Sequence, residues 1–579
     1  MKTLLKFLNY RVHFLLTIYS FQDFLASVQG FIDKEGNHNA QATYSSNILF
    51  VRSFQLLTSN DILKTEPQPL VNFRLAKIAL EEERKQVILE ALRQYLEANQ
   101  LRYSLNQETQ NLEVENLSEE QLQDIVKNYD IVLHVTSSLA TVVRPSQLNQ
   151  VERSYGFEIG NADSQLPIVG VIDTGVSAKT PLAPLIIVDE ELNLTSEPVI
   201  ADEQDGGRGH GTAVAALVSL GKRPYTQNYQ GRIMADAKIL PIKTLSAANG
   251  YISQNRILDK LRLAKIRYPQ LKIFTLTIGY QQHKTFNEEY STYAYALDKF
   301  SYENDCLIFI SSGNNEKAIM ETNGYHIPYF NEERMNLCAP AESMNNVTVG
   351  AASHSLKDGD HVGIANGKEY PTIYSRKGHI AFHLFPNGTK ANRLLFKPDF
   401  IECGGDYGYN DKGRLTDLGP SCLDLLSANP SESFYEHMGT SFSAPLAANV
   451  AIQIQKQYPK LKAASIKALL VNSCDNKFID LQGTPLNSVV GHGLLDETKA
   501  VFSNDNRLTI VVEDTIHSGI LKVIPVNFPD YLTKRDLGKK NGVLLITATL
   551  SFQFKPILEN QHGYCPLCNL PLKQLRILM

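Results

Sequence analysis

The sequence predicts an α/β protein with a doubly wound, mostly parallel sheet, an N-terminal α+β region and a C-terminal β-rich module. Between about residues 166 and 500, apolar runs such as LPIVGVID, AKILPIKTL and CLIFISS alternate with helical segments, a pattern typical of parallel strands covered on both faces. Residues before this part mix helical and strand patterns, and those after about 506 carry only strand patterns. We therefore divide the 579-residue chain into three parts, 1–160, 161–505 and 506–579.

The N-terminal part contains one long helical pattern followed by a small α+β unit. Residues 73–101 carry apolar side chains at helical spacing and predict a packing helix. The positions that define this pattern are Leu75, Ile78, Val87, Leu89, Leu92 and Leu96. Residues 102–137 predict a strand, a helix and a strand, and Ser118 with Gln121 three residues later predicts a capping box at the start of that helix.

Composition limits the partners and the compartment. A formal net charge of -5 without a polybasic run argues against a nucleic-acid partner, and no stretch approaches the ~20 apolar residues of a membrane span. Seven cysteines, few and odd in number, favour a reducing compartment, so we expect a cytoplasmic protein. Secretion is the alternative, because Lys2, Lys6 and Arg11 precede a short apolar run in the layout of a signal peptide.

The C-terminal part predicts an antiparallel β module, from the runs RLTIVVE, GILKVIPVNF and GVLLITATLSFQF. It also contains a C-x-x-C pair, Cys565 and Cys568, in HGYCPLCN. A zinc site needs a second pair of ligands, and the ten residues LPLKQLRILM that follow Asn569 offer none. The acidic stretch DEQDGG, 202–207, predicts a solvated loop, with calcium binding as the alternative. We therefore predict no metal and no cofactor.

Three polar residues stand at points where a parallel sheet gathers its chemistry, beyond the carboxyl ends of strands and at helix N-termini. Asp173 ends the strand IVGVID, and His210 lies between two glycines at the start of an alanine-rich helix. Ser441, in GTSFSAP, opens another helix, where free backbone amides stabilise a developing oxyanion. Each residue also has a structural interpretation, as a turn residue, a packed histidine or an N-cap.

The words VIDTGV, GHGTAVA and GTSFSAP, in this order, resemble the signature blocks of the subtilisin-like serine proteases over about residues 166–500. The resemblance implies that Ser441 is the nucleophile, that His210 is its general base and that Asp173 orients the imidazole. SSGNN, 311–315, is similar to the oxyanion segment of the family. This similarity makes Asn314 the side-chain donor beside the backbone N–H of Ser441.

Two further words resemble the substrate-binding segments of the family. TIG, 277–279, contributes Thr277 and Gly279, and ANGYIS, 248–253, contributes Gly250 on the opposite side. The resemblance implies that a substrate binds between them as an added strand. The interval from Asn314 to Ser441 is longer than a minimal catalytic domain needs, which predicts insertions at 323–342 and 379–395.

The function predicted is a serine endopeptidase that cleaves a protein or peptide through an acyl-enzyme. The alternatives are a catalytically silent binding or scaffold protein on the same fold, and an esterase that uses the same triad. By its position, the N-terminal part resembles the small α+β propeptide that folds and inhibits such proteases. A docking domain for a regulatory partner is the other interpretation.

Overall fold

The computed structural model of the protein describes most of the chain from residue 59 onwards. The described residues are 59–63, 65–76, 82–129, 131–141, 150–151, 155–162, 164–246, 250–286, 288–315, 324–379, 396–475, 486–503, 507–515 and 547–556. The second predicted insertion, 379–395, and the Cys565–Cys568 pair lie outside them, apart from His379.

The N-terminal unit is a four-stranded antiparallel sheet with helices on one face. Its elements are α1 (Ser59–Ile62), β1 (Leu70–Leu75), α2 (Glu82–Ala98), β2 (Tyr103–Asn106), β3 (Asn111–Glu115), α3 (Glu119–Asn128) and β4 (Val132–Ser137). The strand order is β2-β3-β1-β4. The sequence predicted one strand before the helix within 102–137, but the structure has two, β2 and β3, paired antiparallel. The predicted helix, the strand after it and the capping box of Ser118 and Gln121 are present.

The predicted packing helix is shorter than the sequence pattern indicated. Leu75 belongs to β1 and not to the helix, because β1 pairs with β3 and β4, and the helix begins at Glu82. Leu89, Leu92 and Leu96 pack into the core of the unit as predicted, whereas Val87 is 68% exposed. Ile78 lies outside the described residues. Long-range strand pairing therefore overrode the local helical spacing at the start of this pattern.

The remaining elements follow in chain order. The strands are β5 (Ala140–Thr141), β6 (Gln150–Val151), β7 (Phe157–Ile159), β8 (Ile168–Asp173), β9 (Gly231–Ile233), β10 (Lys238–Lys243), β11 (Ile273–Leu276), β12 (Gly279–Tyr280), β13 (Leu307–Ser311), β14 (Val347–Ala352), β15 (Phe400–Cys403), β16 (Gly408–Tyr409), β17 (Leu415–Thr416), β18 (Leu423–Leu426) and β19 (Phe434–His437). The α-helices are α4 (Gln204–Gly207), α5 (His210–Leu220), α6 (Arg223–Thr226), α7 (Gln254–Arg267), α8 (Thr292–Asn304), α9 (Thr440–Gln457), α10 (Ala463–Ser473), α11 (Leu486–Val490) and α12 (Glu497–Val501).

A six-stranded parallel sheet forms the centre of the main unit, in the order β10-β8-β11-β13-β14-β15. Helices cover both faces of the sheet. Successive side chains of a strand point to opposite faces, so neighbouring residues of one strand belong to different cores. Val171 packs into the core that includes α5, α9 and α10, whereas Ile172 packs into the core that includes α7 and α8. The predicted doubly wound α/β fold is confirmed.

The N-terminal unit packs against the main unit through the polar face of its sheet. Asn72 donates to the Tyr280 hydroxyl at 3.1 Å, and Arg74 pairs with Glu289 at 2.9 Å. Glu113 lies at the N-terminus of α7, where backbone amides and the Ser253 hydroxyl donate to its carboxylate. The strands of this unit thus alternate between apolar residues for their own core and polar residues for the main unit.

The described residues of the C-terminal part, 507–515 and 547–556, form no β-strand and run over the main unit. Glu513 accepts hydrogen bonds from the Lys462 N–H and the Ser465 hydroxyl, and Phe554 is buried beside Asn345. The predicted β module stays a prediction for the rest of this part. No helix among the described residues is long and apolar enough to cross a membrane.

Candidate active site

Three neighbouring strands of the parallel sheet deliver polar residues to one edge. Asp173 is the last residue of β8, Thr277 follows β11, and Asn314 follows β13. The register aligns these ends, because Leu276 pairs with Ile172 on one side and with Ile310 on the other. The carboxyl ends of parallel strands form the usual site of chemistry in such a sheet, and in this sheet they hold three of the predicted site residues.

His210 is held beside Asp173 by the start of α5. The residue before it, Gly209, has a φ of 79°, a conformation that favours glycine. A side chain on Gly211 would collide with the carbonyl of Gly175, so glycine is needed for α5 to approach this loop. As a result, His210 Nδ1 lies 2.8 Å from Asp173 Oδ1, and both side chains are buried.

The Asp173 carboxylate is held ionised. Burial opposes its charge, but the facing His210 and hydrogen bonds from the imidazole, from Thr277 and from the Thr174 N–H outweigh burial, so the pKa of Asp173 lies below its ordinary value. Thr277 Oγ1 donates to Oδ2, the carboxylate oxygen that does not face the imidazole. The carboxylate is therefore fixed in the orientation in which it accepts from His210 Nδ1.

Ser441 lies in the first turn of α9, which begins at Thr440. Its Oγ donates to the Thr277 backbone carbonyl at 3.3 Å. Thr277 thus contacts both Ser441 and Asp173, and Phe442, the next residue after Ser441, packs on the His210 ring with 5.7 Å between ring centroids. The structure therefore brings the three predicted triad residues into one site.

Asn314 is oriented by the same helix start. Its Oδ1 accepts from Thr440 N at 3.0 Å and from Thr440 Oγ1 at 2.9 Å, and the Gly313 N–H donates to that hydroxyl at 3.1 Å. A Cβ on Gly439 would stand 3.2 Å from Asn314 Nδ2, so the glycine leaves room for the amide. With Oδ1 occupied, the amide NH₂ is the group that Asn314 can offer to a substrate.

A pocket opens beside Ser441 and encloses about 400 Å³ of empty space, part of it open to solvent. Three chain segments and two single side chains line it. They are 277–280, 310–314, 338–341, Arg376 and Ser441. Part of the first predicted insertion, 323–342, therefore forms a wall of this pocket, and the Tyr280 N–H joins that wall to β12 by donating to the Ala339 carbonyl at 2.9 Å.

The predicted substrate-binding residues Gly250 and Gly279 already contact a strand of the chain itself. Ala140 donates its N–H to the Gly250 carbonyl at 2.8 Å, and β5 pairs antiparallel with β12, with Thr141 opposite Gly279 and Ala140 opposite Tyr280. Leu139 forms a bridge with Tyr251 on the other side. The segment that precedes residue 142 therefore lies between the two segments expected to clamp a substrate.

Asp202 is the clearest site residue that the sequence did not reveal. The sequence stretch 202–207 read as a solvated loop, yet Asp202 is buried, and its carboxylate accepts from Thr174 Oγ1 at 2.8 Å and from Thr212 N and Oγ1 at 2.7 Å each. Thr174 Oγ1 also lies 3.2 Å from Asp173 Oδ1. An acidic residue eight positions before His210 was the available signal, but burial could not be read from it.

The proton of Asp202 is expected to link stability to pH. Burial, with a smaller contribution from the charge of Asp173, raises the pKa of Asp202 from 3.8 to about 6. Between these values the unfolded chain releases this proton while the folded chain keeps it, so the free energy of unfolding falls as pH rises from about 4 to about 6. A shift of about two pKa units corresponds to about 3 kcal/mol. Burial also raises the pKa values of Glu113 and Asp406 to about 7, so both proteins should lose stability in this range, but the wild type should lose more than Asp202→Asn. Urea denaturation of both proteins at several pH values checks this; parallel curves would contradict it.

Another histidine lies near the site without entering the triad. His437, at the end of β19, packs on Phe442 with 5.6 Å between ring centroids. Burial and the neighbouring His210 lower the pKa of His437 to about 3, so its ring is neutral at pH 7. His437 is therefore a neutral packing residue beside the site.

Comparisons of the sequence and of the structure found similarities to several known proteins. An uncharacterized protein of Sinorhizobium fredii, y4bN, is 29% identical over 297 residues, which are 46% of this chain and 65% of that protein. Fervidolysin from Fervidobacterium pennivorans, a keratinolytic enzyme related to subtilisin, is a structural neighbour with a TM-score of 0.43 and 18% identity over 76% of this chain and 62% of its own. The chain thus spans slightly less than two thirds of each.

A further structural neighbour is the epidermin leader peptide processing serine protease of Staphylococcus aureus, with a TM-score of 0.45 and 15% identity. The match covers 75% of this chain and 99% of that protein. The sequence profile of the subtilase family matches residues 164–493, more than half of the chain and the whole region of the parallel sheet. The chain therefore belongs to the subtilase family of serine peptidases.

Proposed function

We propose that this protein is a serine endopeptidase that uses Asp173, His210 and Ser441 as its catalytic triad. The observation that carries the proposal is the hydrogen bond of 2.8 Å between His210 Nδ1 and the buried Asp173 carboxylate, in a site that also holds the Ser441 hydroxyl. This bond fixes the imidazole tautomer, because Nδ1 carries the proton and Nε2 is left as the base. A binding protein without turnover would have no physical need for this arrangement.

In the proposed reaction, Ser441 Oγ attacks the carbonyl carbon of the scissile bond while His210 Nε2 takes its proton. The imidazolium then gives this proton to the leaving amine, and the acyl group stays on Ser441 until water, activated by the same imidazole, releases it. Asp173 stabilises the imidazolium, since its carboxylate is held ionised by Thr277 and the Thr174 N–H. Every step uses groups of this chain, and the proposal requires no metal.

The oxyanion of the tetrahedral intermediate would be stabilised by two donors. One is the backbone N–H of Ser441, in the first turn of α9, where N–H groups have no intrahelical acceptor. The other is the Asn314 amide, which Thr440 holds through Oδ1. Ser441 belongs to a helix and Thr440 holds the Asn314 side chain, so both donors need little rearrangement as the charge develops.

A peptide fits this site better than a small ester does. Gly250 and Gly279 offer backbone groups on two sides of the cleft, and β5 demonstrates that an extended chain can pair with both. Binding through main-chain hydrogen bonds suits any extended peptide and places its interior bonds, not only its ends, at Ser441. This supports endopeptidase over esterase activity.

The N-terminal unit would act as an inhibitor of the same site. β5 pairs with β12, and the sheet of the unit is anchored nearby by Arg74 with Glu289 and by Glu113 at α7. A peptide substrate needs the same edge of β12, so the two compete for it. We therefore favour the propeptide interpretation over the docking interpretation, and activity would require displacement or cleavage of this unit.

The experiment that tests the function combines a reactive probe with two substrate panels. A fluorophosphonate probe should modify the protein, and mass spectrometry of a digest should locate the adduct at Ser441. Turnover is then compared on a peptide library and on small esters. Modification at Ser441 with peptide cleavage supports the proposal, ester cleavage alone supports the esterase, and absence of both supports the silent binding protein.

Replacing Ala140 by proline is expected to raise turnover of the full-length chain about tenfold. Proline removes the N–H that donates to Gly250, and a lost hydrogen bond of this kind weakens docking by about 1 kcal/mol or more. The matched control is Ala140→Ser, which keeps the N–H. Initial rates on one peptide measure the effect; equal rates for wild type, Ala140→Pro and Ala140→Ser would contradict the inhibitory role.

A further inference from the structure

The pocket beside Ser441 has one charged residue among its described lining. Arg376 contributes this charge, and every other lining residue is neutral. The Arg376 side chain is buried behind the Gly313–Asn314 turn, and its Nε donates to the Asn314 backbone carbonyl at 3.1 Å. A positive charge therefore stands in the wall of the cavity that adjoins the nucleophile.

This charge has no carboxylate partner in the described part of the chain. Within that part, Arg376 forms no ion pair within 4.0 Å, and its hydrogen bonds go to backbone carbonyls. Nη1 donates to the carbonyls of Arg334 and Asn336 at 2.7 and 3.0 Å, and no described residue accepts from Nη2. A buried guanidinium is normally paired with an anion, so this one can attract an anionic group of a bound ligand.

The carboxylates in the surroundings are bound by other groups. Glu342 and Glu288 both pair with Lys284 at 3.4 Å. Glu332 pairs with Arg334, and Glu333 accepts from the Phe286 N–H at 3.0 Å. The four acidic residues thus have donors of their own and do not belong to the described lining of the pocket.

The register of β5 indicates which substrate residue would enter this pocket. β5 runs antiparallel to β12, with Thr141 opposite Gly279. In a peptide bound in the same register, the residue opposite Thr277 therefore comes two positions after the residue opposite Gly279. The Thr277 carbonyl is 3.3 Å from Ser441 Oγ, so a peptide in this register presents to Ser441 the residue opposite Thr277. The side chain of that residue, which supplies the attacked carbonyl, then adjoins the pocket that Arg376 lines.

We propose that Arg376 makes this site select substrates with an acidic side chain, Glu or Asp, on the residue whose carbonyl Ser441 attacks. The inference rests on the proposed peptidase function and adds the substrate class. The substrate carboxylate would face the Arg376 guanidinium in a pocket otherwise lined by neutral groups. No other charged group of the described lining would compete for either partner of this ion pair. A basic side chain at this position would meet a like charge and be rejected.

The test uses matched peptides that differ only at this residue, with Glu, Gln, Leu or Lys, in the full-length chain with and without Ala140→Pro. We expect wild type to favour Glu over Gln by about 10- to 100-fold in kcat/KM, the range expected for a charge-assisted hydrogen bond. In Arg376→Gln the Glu to Gln ratio should fall to about one. Because Arg376 also donates to the Asn314 carbonyl, Arg376→Gln could slow the cleavage of every peptide. Such a general loss affects Glu and Gln peptides equally and does not change their ratio. Arg334→Gln is the matched control, because Arg334 lies over the Tyr329 ring outside the described pocket lining, and its ratio should equal that of wild type.

A second measurement avoids any need for turnover. Peptidyl phosphonates with a Glu or Gln side chain react covalently with an active serine, and their rates should show the same ratio in wild type and the same loss in Arg376→Gln. Equal Glu and Gln rates in wild type, or an equal ratio in wild type and Arg376→Gln, would overturn the selectivity proposal while leaving the peptidase intact. Absence of modification by both the phosphonates and the fluorophosphonate would overturn the proposed function itself and this inference with it.

Discussion

Replacing Ser441 by alanine is expected to lower kcat for peptide cleavage about 10⁶-fold, because the variant has no nucleophile to form the acyl-enzyme. The remaining groups, His210 and Asn314, can still polarise the bond and assist water, so a small residual rate is expected. The fold should persist, since Ser441 Oγ makes one hydrogen bond of 3.3 Å to a carbonyl that also accepts from Ser311. Fluorophosphonate labelling and initial rates on one peptide measure the effect.

The chain offers a matched control on the same helix. Ser443 lies two residues after Ser441 on α9, is fully buried, and its hydroxyl has no hydrogen-bond partner among the described residues. Ser443→Ala should therefore label and turn over like wild type. A Ser441→Ala protein that still labels, or that keeps most of its turnover, would move the nucleophile elsewhere and remove the basis of the proposed mechanism.

Much of the candidate site was predictable, because the relevant signals are local. Asp173 ends an apolar strand, His210 follows a glycine at a helix start, and Ser441 opens a second helix, and each of these contexts can be read within about ten residues of sequence. The order of the strands then brings the residues together, since parallel strands place their carboxyl ends on one edge. The resemblance to the subtilase family supplied the roles.

The residues that sequence reasoning missed depend on contacts between distant segments. The stretch around Asp202 predicted a solvated loop, because its hydrogen-bond donors Thr174 and Thr212 lie in other segments of the chain. The sequence near Asp202 does not indicate that they contact it. Arg376 lies in a pocket whose walls come from segments between 277 and 441, so its position could not be inferred from its neighbours. That Thr277 binds substrate stays a prediction, but the hydrogen bond from its hydroxyl to Asp173 was not predicted.

The N-terminal unit shows the same limit for secondary structure. Leu75 fitted the helical spacing, but β1 pairs with β3 and β4, which lie about 40 to 60 residues further along the chain. Hydrogen-bonded pairing between strands that are distant in sequence decides between strand and helix where the local preference is weak. By contrast, the capping box of Ser118 and Gln121 depends on four consecutive residues and was predicted correctly.

Replacing Asn314 by alanine is expected to lower kcat about 100- to 1000-fold with little change in KM, because the amide donates to an oxygen that becomes charged only in the transition state. Alanine also removes the acceptor of the Thr440 N–H and hydroxyl, so part of any loss could come from a displaced helix start. Asn314→Asp separates the two effects. Aspartate keeps an acceptor for Thr440 but offers no donor to the oxyanion, so it should lose at least as much kcat as alanine while thermal denaturation stays close to wild type.

The neighbouring amide provides the control for this prediction. Asn315 donates its side-chain amide to the Tyr329 hydroxyl at 2.7 Å and faces Met335, so it is directed away from Ser441. Asn315→Ala is therefore expected to affect stability more than kcat. If Asn315→Ala lowers kcat 100-fold and Asn314→Ala does not, the oxyanion donor is Asn315, and the orientation of Asn314 by Thr440 serves only the packing of α9. If neither variant lowers kcat, no side-chain amide stabilises the oxyanion. The backbone N–H of Ser441, at the start of α9, is then the donor that stabilises it.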